Sequence, residues 1–141
     1  MKKLKIFLLL LMSILIFTGC RNETIPKDGT VVYYLNKDGT SIVPVACDIT
    51  GDGPEIKVEE LLAKLEEVPE SVDLRRTIPE NVKILSYTME RKQLYLDFST
   101  EYLDMDKATE VLVRAAIVKT MVQVEEISFI GIRVAGEPIK D

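Results

Sequence analysis

The feature that most restricts the fold is the alternation of two hydrophobic periods along the chain. Segments in which every second residue is apolar, as in strands, are separated by two segments with the 3.6-residue period of an amphipathic helix. The predicted strands are 30–36, 42–49, 82–90, 93–99 and 127–134. The predicted helices are 55–68 and a second one that begins at a cap by Asp104 or Asp106 and ends near residue 123.

This order, hairpin, helix, hairpin, helix and strand, predicts an α+β domain over residues 30–138. We expect a single mixed β-sheet of about five strands with both amphipathic helices on one face. Asp38-Gly39 predicts a tight turn in the first hairpin, and Arg91-Lys92 forms the turn of the second. Because Pro44 has no N–H to donate, its strand is predicted to lie at a sheet edge. A domain of this size is expected to fold by itself.

The second helix has the wider apolar stripe and is therefore predicted to be the more buried of the two. The apolar positions of the first helix are Val58, Leu61, Leu62, Leu65 and Val68. Those of the second helix are Ala108, Val111, Leu112, Ala115, Val118, Met121 and Val122.

The N-terminal segment has the pattern of an export signal. Three lysines precede an apolar run at 6–17, which is shorter than the roughly 20 residues of a membrane-spanning helix. Residues 17–20, Phe-Thr-Gly-Cys, resemble a bacterial lipobox. The resemblance implies that residues 1–19 are cleaved, that Cys20 carries diacylglycerol and palmitate-type chains, and that 20–29 form a tether. We therefore expect a lipid anchor on the extracytoplasmic face of the cell membrane. Secretion without lipid and an uncleaved signal anchor are the alternatives.

Charge and composition exclude several classes of function. Residues 1–19 contribute three lysines and no acid, so the rest of the chain has a net charge near −8. Such an acidic domain is unsuited to nucleic acid, whose phosphates require Lys and Arg. The sequence contains no His, so its Ser, Thr and Cys side chains lack the commonest general base. We expect neither enzymatic activity nor a cofactor.

One segment has the spacing of a calcium-binding loop. Asp48, Thr50, Asp52 and Glu59 occupy positions 1, 3, 5 and 12 of an EF-hand-like pattern, with Gly53 at position 6. A strand rather than a helix enters this loop, and Pro54 stiffens it. A turn that leads into the first helix is the simpler interpretation, and no metal is predicted.

Four residues are candidates for contact with a partner. Arg75 and Arg76 form a small basic spot on a loop that could bind acidic groups. Tyr34 follows another tyrosine on a strand, so that one of the pair faces the core and the other is available to an interface. Pro44 marks the predicted edge strand, which is the first candidate for a binding edge.

Three blocks of the chain resemble the GerMN domain family. They comprise 31–40 with 42–45, then 74–86 with 94–102, and finally 116–123 with 127–129 and 136–138. The family is named for a sporulation lipoprotein with two such domains in tandem. The resemblance implies an α+β fold like the ring-building motifs of secretion and sporulation complexes. It also implies a non-catalytic role outside the membrane.

The sequence therefore supports two hypotheses about function. In the first, a lipid-anchored interaction domain binds envelope or sporulation proteins and supports assembly of a sporulation or germination complex. In the second, a sensory or ligand-binding lipoprotein acts on the cell wall or beside a sensor kinase. The second hypothesis predicts a pocket lined by exposed aromatic residues such as Tyr95 or Tyr102.

Overall fold

A computed structural model describes residues 29–139. The predicted signal peptide, Cys20 and most of the tether lie outside these residues. The strands of the described part are β1 Val31–Asn36, β2 Ile42–Ala46, β3 Leu74–Arg75, β4 Ile84–Glu90, β5 Gln93–Phe98, β6 Phe129–Val134 and β7 Glu137–Pro138. The helices are α1 Pro54–Glu66, α2 Lys107–Met121 and a short 3-10 helix, Thr100–Asp104, before α2. No helix in this part of the chain is long and apolar enough to cross a membrane.

The α+β class is confirmed, but the prediction of one five-stranded sheet is wrong. The strands between residues 29 and 139 form a three-stranded sheet, β2-β1-β3, and a four-stranded sheet, β4-β5-β6-β7. β5 and β6 are parallel, and α2 lies in the connection between them. The predicted pattern identified the main strands and missed the two-residue strands β3 and β7.

The two sheets remain separate because side chains of α2 and of the turn that follows it occupy much of the second edge of β1. Thr120 Oγ1 accepts a hydrogen bond from the Tyr33 backbone N–H at 3.1 Å. The Gln123 side chain accepts from Val31 N–H at 3.0 Å and donates to Val31 C=O at 2.7 Å. These bonds satisfy backbone groups that another strand would otherwise pair. Only the last two residues of β1 pair with β3 on this side.

The first hairpin folds as the Asp38-Gly39 pattern predicts. Gly39 has a φ of 66°, which glycine adopts without steric cost, and its N–H donates to Asn36 C=O. The Asn36 side chain accepts from the N–H groups of Thr40 and Ser41 at 2.8 and 3.0 Å. The turn thereby sets the antiparallel register in which Tyr33 lies opposite Pro44.

Helix α1 packs most of its predicted apolar stripe on the core, but it ends at Glu66, so that Val68, the last predicted position of the stripe, lies beyond it and is 75% exposed. Pro54 occupies its first turn, where the missing N–H costs nothing, and Val58, Leu61, Leu62 and Leu65 are buried. These residues join one core cluster whose buried members all lie between 32 and 134. The described segment thus contains a complete core of its own.

Helix α2 is buried through a different stripe from the one predicted. Val113, Ala116, Ile117 and Met121 face the core. Four of the seven predicted core positions are outside it, since Ala108 is exposed and Val111, Val118 and Val122 are 62%, 39% and 45% exposed. Both faces of this helix are rich in apolar residues, so that hydrophobic periodicity alone does not determine which face the fold buries.

Candidate functional site

A cleft of about 710 Å³ lies between the edge strand β2 and the C-terminal end of α1. Its apolar wall comes from β1, β2 and the residue that begins β3. The apolar lining residues are Val32, Tyr34, Val45, Ala46, Cys47, Val68, Pro69 and Leu74. The polar lining residues are Asp48, Lys64, Glu67, Glu70 and Ser71. This volume is in the range of small-molecule and peptide sites.

The register of the first hairpin explains the apolar wall. Val32 lies opposite Val45, and Tyr34 lies opposite Val43, so these side chains share one face of the sheet. Helix α1 packs against β1 on the core side. Its last turn and the following Val68-Pro69 segment then form the far wall of the cleft, leaving part of β2 open to solvent.

The charges at the rim are mostly negative. Lys64 Nζ lies 3.0 Å from Glu67 Oε2, and this hydrogen bond raises the pKa of the lysine. Asp48 and Glu70 add two further carboxylates to the lining. The rim therefore favours an occupant that is cationic as well as apolar.

The two titratable groups of the apolar wall are held neutral. Burial raises the pKa of the Tyr34 hydroxyl, and Glu67 raises it further. Burial also raises the pKa of the Cys47 thiol, which is half-buried here rather than fully buried as a core position. Because a raised pKa reduces the fraction of thiolate, Cys47 has the character of a wall residue rather than a nucleophile.

Strand β2 exposes a backbone edge beside this cleft. Cys47 N–H donates to Thr30 C=O at 2.9 Å, whereas Tyr33 N–H points away from β2 toward Thr120. Since Pro44 is opposite Tyr33, its nitrogen lies on the outer side, where no bond of the ladder is lost. Among the described strands, only β1 pairs with β2, so the predicted edge position of Pro44 is confirmed.

The other interaction candidates occupy different environments. Tyr34 is the buried member of the tyrosine pair and belongs to the core, and it also lines the cleft. Tyr33 is the partly exposed member of the pair, and Lys119 Nζ lies 5.4 Å from the centre of its ring. Arg75 is exposed. Arg76 Nε donates to Ile78 C=O at 2.7 Å, a hydrogen bond within the loop that follows β3.

The residues of the calcium-loop pattern do not converge. Glu59 accepts from the Tyr87 hydroxyl at 2.8 Å, away from the turn. Thr50 instead donates through its N–H and hydroxyl to the neighbouring Glu60 carboxylate. Between residues 29 and 139 there is no group of three or more Cys, Asp or Glu side chains placed to hold a metal ion. The segment acts as the turn that leads into α1.

The aromatic residues expected in a pocket lie elsewhere. Tyr102 is buried in the core against Phe98, with ring centres 5.0 Å apart. Tyr95 lies on the outer face of the second sheet, between Phe129 and the guanidinium of Arg133. The sequence pattern did not reveal the cleft, because its walls come from segments that only the tertiary fold brings together.

A protein-family model matches residues 31–140 and carries the description "Germane: Sporulation and spore germination". The match covers most of the chain. This protein belongs to the Germane family. The similarity to GerMN domains inferred from the three sequence blocks is thereby confirmed, while no curated protein matches the chain.

Solved structures have the same fold as this Germane domain. The tandem GerMN domains of the sporulation protein GerM from Bacillus subtilis match with a TM-score of 0.65 and 18% identity, over 80% of this chain and 41% of that one. This chain thus spans less than half of the tandem protein. The first GerMN domain of GerM matches with a TM-score of 0.65 and 17% identity, over 80% and 86% of the two chains.

A further structure with this fold comes from Clostridium perfringens and is described as a lipoprotein. Its TM-score is 0.54 at 22% identity, over 86% of this chain and 83% of that one. At such identities these structures establish the fold, and the family match establishes the relation to sporulation and germination proteins.

Proposed function

We propose that this protein is an extracytoplasmic lipoprotein, anchored through Cys20, whose GerMN-like domain over residues 30–138 binds another envelope protein. Membership of a sporulation and germination family supports a role in assembling an envelope complex at those stages. The fold shared with GerM and with a clostridial lipoprotein is consistent with this assignment. The domain acts by binding rather than by catalysis.

The observation that carries this proposal is the free edge of β2 beside an apolar cleft. An extended segment of a partner can add to such an edge through backbone hydrogen bonds, while alternate side chains enter the neighbouring cleft. Pro44 removes one donor from this edge, which limits unspecific strand addition. The three carboxylates at the rim favour a segment that carries Lys or Arg.

Site-specific crosslinking in cells tests this proposal. A photoreactive amino acid replaces the exposed Ala46 on β2, and a control variant carries it at the exposed Glu126 in the loop before β6. In sporulating cells we expect position 46, but not position 126, to crosslink to one envelope protein. Equal yields at the two positions, or none at position 46, would contradict the use of this edge.

The anchor requires a separate measurement. Metabolic labelling with an alkyne fatty acid should label the wild-type protein and not a Cys20→Ala variant. We expect the wild-type protein to partition with membranes and the variant to be released or retained as the unprocessed precursor. Labelling that is unchanged in the variant would exclude Cys20 as the lipidated residue.

The volume of the cleft supports a second candidate function, in which a small cationic and apolar ligand occupies it. Thermal denaturation in the presence of wall-derived peptides that contain a free amine would detect such a ligand. The matched variant is Val45→Glu, which places a charge on the apolar wall. An increase in melting temperature that this variant abolishes would favour sensing of a ligand over assembly of a complex.

A further inference from the structure

The outward face of α2 carries an apolar stripe that the core does not use. Val111, Ala115, Val118 and Val122 follow one another at intervals of four, three and four residues, which keeps them on one side of the helix. The three valines are exposed, and Ala115 is partly exposed. No element between residues 29 and 139 covers these valines.

The charged residues of α2 beside this stripe are mostly basic. At 100° per residue, Lys107 and Arg114 lie on one side of it and Lys119 on the other. The one acid of the helix, Glu110, is nearly buried and pairs with Lys107 at 3.2 Å and with Arg114 at 3.8 Å. The acids Asp104, Asp106, Glu125 and Glu126 lie beyond the two ends of the helix. The helix is therefore net positive in a domain that is otherwise strongly acidic.

The start of the domain lies at one end of this face. Gln123, one residue after Val122, forms hydrogen bonds with both backbone groups of Val31. Cys20 is ten residues before Thr30, and such a segment extends over at most about 35 Å. Helix α2 is only about 22 Å long, so an anchor at Cys20 leaves the whole stripe within reach of the lipid surface.

We propose that the outward face of α2 docks on a bilayer surface that contains anionic lipid, and so fixes the orientation of the domain. The valines enter the boundary between headgroups and acyl chains, and the flanking cations face lipid phosphates. Tyr33, which lies under Lys119, adds an aromatic ring of the kind enriched at membrane interfaces. This inference rests on the proposed anchor at Cys20 for the position of the membrane.

A second copy of the chain or another protein fits these observations less well. Two copies packed through this stripe would bring the cations of one α2 close to those of the other. A partner protein would need a surface that is both acidic and apolar. Its binding would not be favoured by the short distance between the start of the domain and α2. The tether, by contrast, holds the lipid at a high local concentration near the helix.

The absence of tryptophan from the chain provides a direct test. A chain that begins at Cys20 and carries Cys47→Ser is coupled through the Cys20 thiol to a maleimide lipid in phosphatidylcholine vesicles with phosphatidylglycerol. The segment after residue 28 contains the complete core, so this chain retains its fold. V118W and T88W then place a single tryptophan on the α2 face or on the exposed outer face of β4.

Lipids brominated near the headgroup should quench the tryptophan of V118W about twofold or more, with a blue shift, and leave that of T88W unchanged. Adding V111E should remove this quenching while the circular dichroism spectrum stays the same. Equal quenching of V118W and T88W would overturn the proposal. Equal quenching of V118W on phosphatidylcholine alone would overturn the requirement for anionic lipid.

A blue shift of V118W that depends on protein concentration and not on lipid would overturn the proposal in favour of self-association. The maleimide lipid supplies the tether, whether or not cells acylate Cys20. Failure of docking in the vesicle assay and failure of the anchor in the labelling experiment are therefore separate results.

Discussion

The Tyr102 side chain is buried among apolar residues, and its hydroxyl has no hydrogen-bond partner among the described residues. Burial raises the pKa of Tyr102 to about 12 from 10.0, with a smaller opposing effect of Arg114. An unpaired buried hydroxyl costs free energy, which the packing of the ring against Phe98 offsets. Tyr102 is thus a core residue whose hydroxyl makes no hydrogen bond with the described residues.

Tyr102→Phe should therefore raise the free energy of unfolding at pH 7 by about 1 kcal/mol. In the wild type, the unfolded chain loses the tyrosine proton above pH 10 while the folded chain keeps it to about pH 12. Stability is thus lost as the pH rises through this window, by about 3 kcal/mol in all from this residue alone, of which about half is lost by pH 11. Urea unfolding of both proteins between pH 7 and 11 measures the difference. If the free energy of unfolding depended on pH in the same way in both proteins, the raised pKa of Tyr102 would be contradicted.

At the residue scale, the sequence predicts that two adjacent strand tyrosines face opposite sides, but not which one is buried. Thr77 Oγ1 donates to Tyr33 C=O, and Thr120 accepts from Tyr33 N–H. These contacts fix β1 so that Tyr34 faces the core side and Tyr33 lies near Lys119. Both threonines are distant in sequence, and no local pattern connects them to the strand.

At the scale of elements, the turn between β4 and β5 is strained. Arg91 and Lys92 have φ values of 50° and 67°, a conformation that is unfavourable for residues with a Cβ. Replacing the pair by Asn-Gly, which suits such a turn, should raise the free energy of unfolding by about 1–2 kcal/mol. The variant in which the two residues exchange places keeps the strain and charge, and should remain at the wild-type value. Urea unfolding measures the free energy of unfolding of all three proteins. An Asn-Gly variant with the wild-type value would show that the turn is not strained.

The sequence leaves two caps possible for α2, and the structure uses Asp106. Its carboxylate accepts from Thr109 N–H at 3.0 Å and from the Thr109 hydroxyl at 2.6 Å, and these bonds lower its pKa. Asp106→Ala should lower the melting temperature at pH 7, and the difference from wild type should shrink as the pH falls through 3.8, where the unfolded carboxyl becomes protonated. Asp104→Ala is the control and should leave the melting temperature unchanged. Equal effects of the two substitutions would contradict the cap.

The elements themselves could largely be predicted, because their signals are local. The Asp-Gly turn, the stripe of α1 and the position of Pro44 each follow from a few neighbouring residues. The buried face of α2 could not be predicted, since Val111 and Val113 are equally apolar and only the tertiary fold chooses between them. The cleft depends on the same long-range contacts.

At the scale of the whole molecule, the contact between Gln123 and Val31 holds the C-terminal end of α2 against the first strand. Gln123→Ala removes both hydrogen bonds to Val31, together with those from Gln123 Nε2 to the C=O groups of Lys119 and Thr120. Val31, a buried residue, is then left without partners for its N–H and C=O. We expect a loss of about 1–3 kcal/mol in the free energy of unfolding. Gln93→Ala, which removes only a hydrogen bond with the exposed side of Tyr95, should have little effect. Chemical denaturation of both variants tests this, and equal losses would contradict a special role for Gln123.

The division into two sheets lies beyond what the sequence reveals. The five predicted strands and their hairpin turns are compatible with one continuous sheet as well as with two. The outcome depends on whether another strand or polar side chains complete the second edge of β1. Thr120 in α2 and Gln123 in the turn after it do so, and no local sequence pattern identifies them.

The closure of β1 by α2 also has a consequence for the order in which the chain acquires its structure. A ribosome, or a translocation channel that admits the N-terminus first, releases β1 early and releases its edge partners about 90 residues later. The domain must therefore gain its stability late and in one step, and a chain stopped before residue 120 is left with an open strand. Fragments that end within α2 should accordingly be substrates for proteases and chaperones rather than half-folded domains.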